Sequence, residues 1–328
     1  MLEFFKKRIF PTGVDLGGSF LKMSQLGFDG KSLYLRAAGC EAKPDNIEYG
    51  SGAWQRWAAE AAKEMLGRGQ FKGKEVVAAM PADDMFIDQV KVPRFEEKKK
   101  VEEAALAGVQ QKLPFDSALA MVKYVVTDQA GNNGQVDVLV MAAERMTVNK
   151  HLAIYEKAGL GLKGMSVWPL AMAASYTKFF GRRAEDEHAI VMLVDIGANH
   201  GNVVICKHTN LLFARVISAG YNQMAKDISA EQFMSEIDAC WRYYESLTHS
   251  RRIERLIFLA GRSADKDICE KIAQFAQKMQ VPAQIGDVLG AVQIRDGQSI
   301  GIDRRGLQVD WATTFGLSLS GNEKISIG

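Results

Sequence analysis

Short apolar runs separated by polar turns dominate the chain, and two stretches repeat this pattern in nearly the same form. Residues 191–221 read VMLVDIGANHGNVVICKHTNLLFARVISAGY, in which an Asp- and Gly-containing turn and a second polar turn divide three apolar runs. Short β-rich runs bounded by turn residues predict a β-hairpin followed by a third strand. Residues 10–26 show the same order of strand, Asp-x-Gly, polar turn and strand. This repetition, about 180 residues apart, predicts two similar domains that face each other across a cleft.

The spacing of apolar positions elsewhere predicts the remaining elements. Strands are expected at residues 31–38, 75–80, 85–92, 119–128, 136–143 and 256–260, and another is expected to begin at 281. Helices are expected at residues 54–66, 95–112, 147–158, 164–180, 232–247 and 266–278. Gly159 is expected to stop the third of these helices. The strand–helix–strand–strand–helix order between about residues 84 and 158 predicts a compact α+β subdomain.

Length and composition agree with two core-bearing domains, because 328 residues with 47% hydrophobic content bury a large apolar surface. The first domain is predicted at 1–180, with the subdomain inserted at about 84–158, and the second at 181–328. A net charge of +2 favours no nucleic-acid partner. No apolar run approaches the roughly 20 residues that span a bilayer, so no direct membrane span is predicted. Four cysteines without paired spacing indicate reduced thiols in the cytoplasm.

Each repeated turn joins an aspartate to glycines. We expect Gly197 and Gly201 to permit close approach of a ligand to the backbone, and to adopt dihedrals that other residues avoid. The exposed N–H groups of such a turn hold phosphate, and the aspartate holds magnesium through water. The first copy also carries Lys22, seven residues after Asp15. Taken singly, each turn is equally an ordinary hairpin turn, in which Asp and Asn are turn formers.

Residues 255–264 read RLIFLAGRSA, a buried strand that ends in Ala-Gly-x-Ser and suits the floor of a nucleotide site. In order and spacing, the three pieces resemble the two phosphate loops and the adenosine loop of the actin-like ATPase superfamily. Within that superfamily, nearly the whole chain resembles the PilM family of type IV pilus assembly, which is related to FtsA. The resemblance implies an α/β, actin-like (ribonuclease H-like, duplicated) two-domain fold with an FtsA/PilM-type extra α+β subdomain.

The same resemblance implies a site for ATP and magnesium between the two domains. Magnesium would be held through water by Asp15 and Asp195, and His200 would be a turn residue rather than a catalytic base. The implied nucleotide-binding residues are Asp15, Gly17, Gly18, Ser19, Lys22, Asp195, Gly197, Asn199, His200, Gly201, Gly261, Arg262 and Ser263.

Three departures from the family pattern bear on catalysis. The second phosphate loop has Asn199-His200-Gly201 where active relatives place Thr or Ser hydroxyls, and Trp168 stands where an acidic residue usually precedes Pro169. About ten residues follow Tyr221 where PilM-like chains carry a longer helical insert, and Arg262 replaces a common glycine. Because phosphoryl transfer depends on positioning and charge compensation, these changes predict weak ATP binding and little or no hydrolysis.

The resemblance also implies a partner and a location. In PilM-like proteins the groove beside the extra subdomain receives a short N-terminal peptide of the inner-membrane protein PilN, which would place this chain at the inner membrane. The helix ending in a Leu-Pro-Phe stretch (residues 113–115) and a closing helix at 311–319 are further points of similarity. Self-association is left open. Three alternatives share parts of the pattern: a small-molecule kinase, an FtsA-like filament-forming ATPase, and the cytoplasmic half of a type II secretion platform protein.

Overall fold

A computed structural model describes residues 7–128, 134–221, 230–247, 252–259, 266–295, 297, 299–302 and 309–321. The chain has a mixed α/β architecture with three sheets. The strands are β1 Arg8–Leu16, β2 Phe20–Phe28, β3 Leu33–Ala42, β4 Glu75–Met80, β5 Phe86–Pro93, β6 Ala120–Asp128, β7 Gln135–Glu144, β8 Gly161–Val167, β9 Ile190–Ile196, β10 Gly201–Lys207, β11 Asn210–Ile217, β12 Arg255–Leu259 and β13 Ala283–Ile285. The α-helices are α1 Gly52–Gly67, α2 Lys98–Val109, α3 Arg145–Lys157, α4 Trp168–Phe179, α5 Ala230–Leu247, α6 Lys266–Lys278, α7 Val288–Ala291 and α8 Ala312–Ser320.

Two five-stranded sheets repeat one topology. The first has the order β3-β2-β1-β4-β8 and the second the order β11-β10-β9-β12-β13. In each sheet one hairpin is antiparallel, with β1 paired to β2 and β9 paired to β10. Strand β4 then pairs parallel to β1, and β12 pairs parallel to β9. The two Asp-x-Gly stretches therefore occupy the same place in their sheets, as the hairpin at β1–β2 and the hairpin at β9–β10. The predicted hairpins and the third strand at 210–217 are confirmed.

A third sheet, with the order β5-β7-β6, carries α2 on its apolar face. Its elements follow the predicted strand–helix–strand–strand–helix order, and Gly159 ends α3 with a φ of +72°. Among the strands that the structure describes, β6 is one of the two edges of this sheet and β8 is one of the two edges of the first sheet. Both edge strands therefore offer backbone groups that no described strand pairs.

Helices α4 and α8 pack against each other in the largest apolar cluster, which joins residues of both five-stranded sheets. A Cβ on Gly316 would lie 1.9 Å from the carbonyl oxygen of Ala171, and one on Gly13 would lie 2.0 Å from that of Thr314. Backbones this close leave no room for a side chain, so α8 is seated directly on α4 and β1. Among the described helices, none has the length and apolar character needed to cross a bilayer.

Two predicted helices differ from the structure. The helix expected at 164–180 is wrong over its first part, because residues up to Val167 form β8 and the helix begins only at Trp168. Pro169 at the first turn agrees with this later start, since proline is favoured at the first helical positions. The helix expected at 95–112 is shorter, spanning Lys98–Val109. The short helix α7 was not predicted.

Candidate functional site

The two Asp-x-Gly turns face each other across a small cleft. They line a cavity of about 90 Å³, together with the segment after β4, Trp168 and Thr313 at the start of α8. Ten of the predicted phosphate-loop residues are brought together in or beside it: Asp15, Gly17, Gly18, Ser19, Lys22, Asp195, Gly197, Asn199, His200 and Gly201. The predicted third loop, Gly261, Arg262 and Ser263, lies outside the described residues.

Lys22 is the central charge of the cleft. Its Nζ lies 2.8 Å from Oδ2 of Asp15 and donates a hydrogen bond of 3.0 Å to the backbone carbonyl of Asp310. Burial alone would lower the pKa of Lys22, but the charges of Asp15, Asp310 and Asp195 outweigh it and raise that pKa. The ammonium group is therefore the counter-ion of three aspartates.

Asp310 is a member of this cluster that the sequence did not reveal. Its Oδ2 accepts a hydrogen bond of 2.9 Å from the backbone N–H of Ala312, at the start of α8. Burial raises the pKa of Asp310 well above its usual range and also raises that of Asp195, whose Oδ2 accepts a 3.0 Å hydrogen bond from Asn202. The only sequence signal was an aspartate just before a helix, and that pattern is common to ordinary helix caps.

The second phosphate loop reaches across the cleft to the first sheet. Asn199 donates a hydrogen bond of 3.3 Å from Nδ2 to the hydroxyl of Ser19, and Nδ1 of His200 lies 3.2 Å from Oδ1 of Asp83. His200 thus sits in a turn, as predicted, but it also connects the two halves of the molecule. Asn199 and His200 both line the cavity between the two turns.

Titration of His200 is expected to change stability. Burial lowers its pKa, but the contact with Asp83 and the charges of Asp195 and Asp15 raise it overall above the ordinary 6.5. Because the folded-state pKa exceeds the unfolded value, the protonated form adds stability below pH 6.5, and this contribution is lost as pH rises through the folded pKa. Urea unfolding across pH 5.5–8.5 should show that the difference between wild type and His200→Gln shrinks with rising pH. A pH-independent difference would contradict this assignment.

The glycines of these turns have a different role from the one expected. Gly17, Gly18, Gly197 and Gly201 are absent from the positions with positive φ, so the prediction of unusual dihedrals at Gly197 and Gly201 is wrong. A Cβ on Gly201 would lie 2.8 Å from the ring of Phe233, and one on Gly18 would lie 3.1 Å from Nδ2 of Asn199. Packing within the protein accounts for glycine at these two positions.

The described residues leave little free space between the two turns for the phosphates of magnesium–ATP. A cavity of about 90 Å³ is well below the roughly 300 Å³ at which ligand pockets begin. The Lys22 ammonium already neutralises the aspartates that would hold magnesium through water, and Trp168, 3% exposed, lines the cavity with an indole. Within the described part of the chain, no group of three or more His, Cys, Asp or Glu side chains is placed to hold a metal ion. Phosphates would enter only after Lys22, Asn199 and His200 had moved.

A second cavity, of about 200 Å³, lies between the first sheet and the third. Strands β6, β7 and β8 line it together with α3 and both ends of the segment that joins β4 to β5. Its lining includes five of the chain's 14 methionines: Met80, Met85, Met121, Met141 and Met165. We refer to this cavity as the methionine groove. No local pattern predicts this groove, because these methionines are scattered over 86 positions without regular spacing.

Lys123 is the cation in the lining of the methionine groove. Burial lowers its pKa, and no carboxylate of the described residues forms an ion pair with it. An apolar groove with one cation and two flanking edge strands can accept an extended segment by main-chain pairing and apolar contact.

Comparison with known proteins identifies the family of this chain. The family model of type IV pilus assembly protein PilM matches residues 13–239. A solved PilM–PilN type IV pilus biogenesis complex is similar to this chain with a TM-score of 0.75 and 20% identity, covering 95% of this chain and 98% of that one. The cytoplasmic domain of EpsL from Vibrio cholerae is similar at a TM-score of 0.46 and 12% identity, over 96% and 94% of the two chains. A Bacteroides thetaiotaomicron protein with an actin-like ATPase fold gives 0.49 and 11%, over 89% and 96%. The predicted α/β fold of PilM type is confirmed by the match to the PilM–PilN complex.

Proposed function

Since this chain belongs to the PilM family of type IV pilus assembly proteins, we propose that it is a scaffold of a type IV pilus or related secretion machine. It binds a short N-terminal peptide of a PilN-like inner-membrane protein and is held on the cytoplasmic side of the membrane by that partner. The methionine groove is the observation that carries this proposal. A PilM–PilN complex among the similar structures gives independent support for a partner of this kind.

The geometry of the groove suits an extended peptide. Residues 121–123 of β6 and residues 165–167 of β8 line it from two edge strands, so a bound segment can pair its backbone with either. Main-chain hydrogen bonds of this kind give affinity, while side-chain pockets give specificity. The groove lies where the first sheet meets the third sheet. A strand added at an edge of either sheet leaves the existing strand pairs of both sheets unbroken.

The side chains of the groove indicate what the peptide contains. Methionines are flexible and polarizable, so they adapt to apolar side chains of different shapes. Lys123 lies among them without a carboxylate partner of the described residues, and a partly buried lysine gains from an opposite charge. We propose that the peptide has apolar residues for the methionines and one acidic group for Lys123.

Met121→Glu is expected to weaken peptide binding about tenfold or more, because it puts a carboxylate into the apolar wall of the groove. Met121 is 43% exposed, so the fold should tolerate the change. Met146→Glu is the matched control, since Met146 is 59% exposed and lies on α3 outside the groove lining. The probe is a synthetic peptide of the N-terminal cytoplasmic residues of the PilN-like protein from the same organism, titrated by fluorescence anisotropy.

Equal losses in Met121→Glu and Met146→Glu would show that the peptide does not use the methionine groove. Absence of any binding to the wild-type protein would remove the scaffold proposal. A small-molecule kinase of the actin-like superfamily would then become the leading interpretation of the two phosphate hairpins.

Nucleotide has a secondary place in this proposal. The proposed division into residues 1–180 and 181–328 puts one phosphate hairpin in each domain, and the contacts of Asn199 with Ser19 and of His200 with Asp83 cross the cleft between them. ATP binding therefore requires the cleft to open first, and any affinity is lowered by the population of the open state. We propose weak ATP binding and no efficient hydrolysis.

A further inference from the structure

The methionine groove and the phosphate cleft share one wall. Met80 and Met85 line the groove, whereas Pro81 and Ala82, between them in sequence, line the cleft. We call residues 80–85 the shared segment. It is a short connection that runs from the end of β4 through a single 3₁₀ turn at Ala82–Asp84 to the start of β5.

The two aspartates of the shared segment are fixed in opposite directions. Oδ1 of Asp83 lies 3.2 Å from Nδ1 of His200 on the second phosphate loop. Oδ2 of Asp84 accepts a 2.5 Å hydrogen bond from the hydroxyl of Tyr49 and lies 2.7 Å from Nε2 of His151 on α3. His151 is 1% exposed and packs edge-on against Trp54. The segment therefore contacts the cluster of Tyr49 and the buried His151 on one side, and on the other side it lies at ion-pair distance, without a hydrogen bond, from a loop of the facing sheet.

A second stretch of chain also borders both cavities. Residues 166 and 167, at the end of β8, line the groove, and Trp168, the first residue of α4, lines the cleft. Because α4 packs in the apolar cluster that joins the two five-stranded sheets, this stretch is a second physical link between the groove and the cleft. Packed elements of this kind move between discrete arrangements rather than deform continuously.

From this shared wall we infer that closure of the cleft through His200 and Asp83 shapes the methionine groove, so that peptide binding and cleft closure favour each other. The inference deepens the proposed function and rests on it. When His200 leaves Asp83, the turn at Ala82–Asp84 loses its contact with the facing sheet, and Met80 and Met85 lose their fixed places in the groove. Because this coupling is reciprocal, a bound peptide shifts the cleft toward its closed state by the same factor by which closure raises peptide affinity.

The test measures peptide affinity in variants that do not touch the groove. His200→Ala and Asp83→Ala are each expected to weaken binding of the synthetic PilN-like peptide by about fivefold or more. The double variant should bind no more weakly than either single one, because both changes remove the same contact. His188→Ala is the matched control, since His188 is exposed and lines neither cavity. It should bind as the wild type does.

Several outcomes are distinguishable. Failure of the wild-type protein to bind the peptide overturns the proposed function, and this inference with it. Normal binding by the wild type and unchanged binding by His200→Ala and Asp83→Ala overturn the coupling alone. Independent, additive losses would also overturn it, since they would not come from one shared contact. If circular dichroism shows that an alanine variant is unfolded, His200→Gln and Asp83→Asn keep the side-chain size and are expected to give the same loss.

Discussion

Lys22→Ala is expected to lower the free energy of unfolding by about 2–3 kcal/mol, because it leaves partly buried carboxyl groups without their cation. The change leaves Asp15, Asp195 and Asp310 facing one another without a cation, while burial already raises the pKa of the last two. Urea denaturation at pH 7 measures it. The loss should shrink toward acid pH, because these carboxyl groups then take up protons and their mutual repulsion ends.

The control for Lys22 is Lys163→Ala. Lys163 pairs with Glu75 at 2.9 Å, but both side chains are about half exposed, so the expected loss is no more than about 1 kcal/mol. Equal losses in Lys22→Ala and Lys163→Ala would contradict the role of Lys22 as counter-ion.

Hydrolysis of magnesium–ATP by the wild-type protein is expected to equal that of Asp195→Asn, which serves as the blank. A positioned general base contributes about 10²–10⁴-fold, and the indole of Trp168 cannot supply one. The cavity between the two turns, of about 90 Å³, also leaves little free space for a triphosphate. Phosphate release over several hours measures the difference. A turnover of about 1 per second is at the low end of common values for enzymes. If the wild type reached it and Asp195→Asn abolished it, another residue would have to orient the attacking water.

The repeated hairpins were the part of the fold most open to prediction. Asp-x-Gly between two apolar runs is a local pattern, and its two copies occupy equivalent places in two sheets of the same order. Strand β4 and helix α6 were predicted with the observed limits for the same reason, since each is a clear periodic run. Strand β8 was missed because GLKGMSV has two glycines and no regular alternation, and its pairing to β4 supplies what its local sequence lacks.

The sites were harder to predict than the fold. The phosphate-loop residues of both hairpins were named, but the role of Lys22 as a counter-ion depends on Asp310, which is 288 positions away in the chain. His200 contacts Asp83 for a similar reason, since only the facing of two sheets brings them together. The methionine groove has no local signal, because its walls come from β4, β6, β7, β8 and α3. Such placements are set by tertiary packing.

The most direct test of the scaffold proposal is hydrogen–deuterium exchange with and without the PilN-like peptide. Added strands protect the amides of the edge that they join. The proposal predicts slower exchange at residues 120–126 of β6 or residues 161–167 of β8, with smaller protection at residues 199–202 through the shared segment. Unchanged exchange at both edge strands, under conditions in which the peptide is bound, would contradict the assignment of the methionine groove as its binding site.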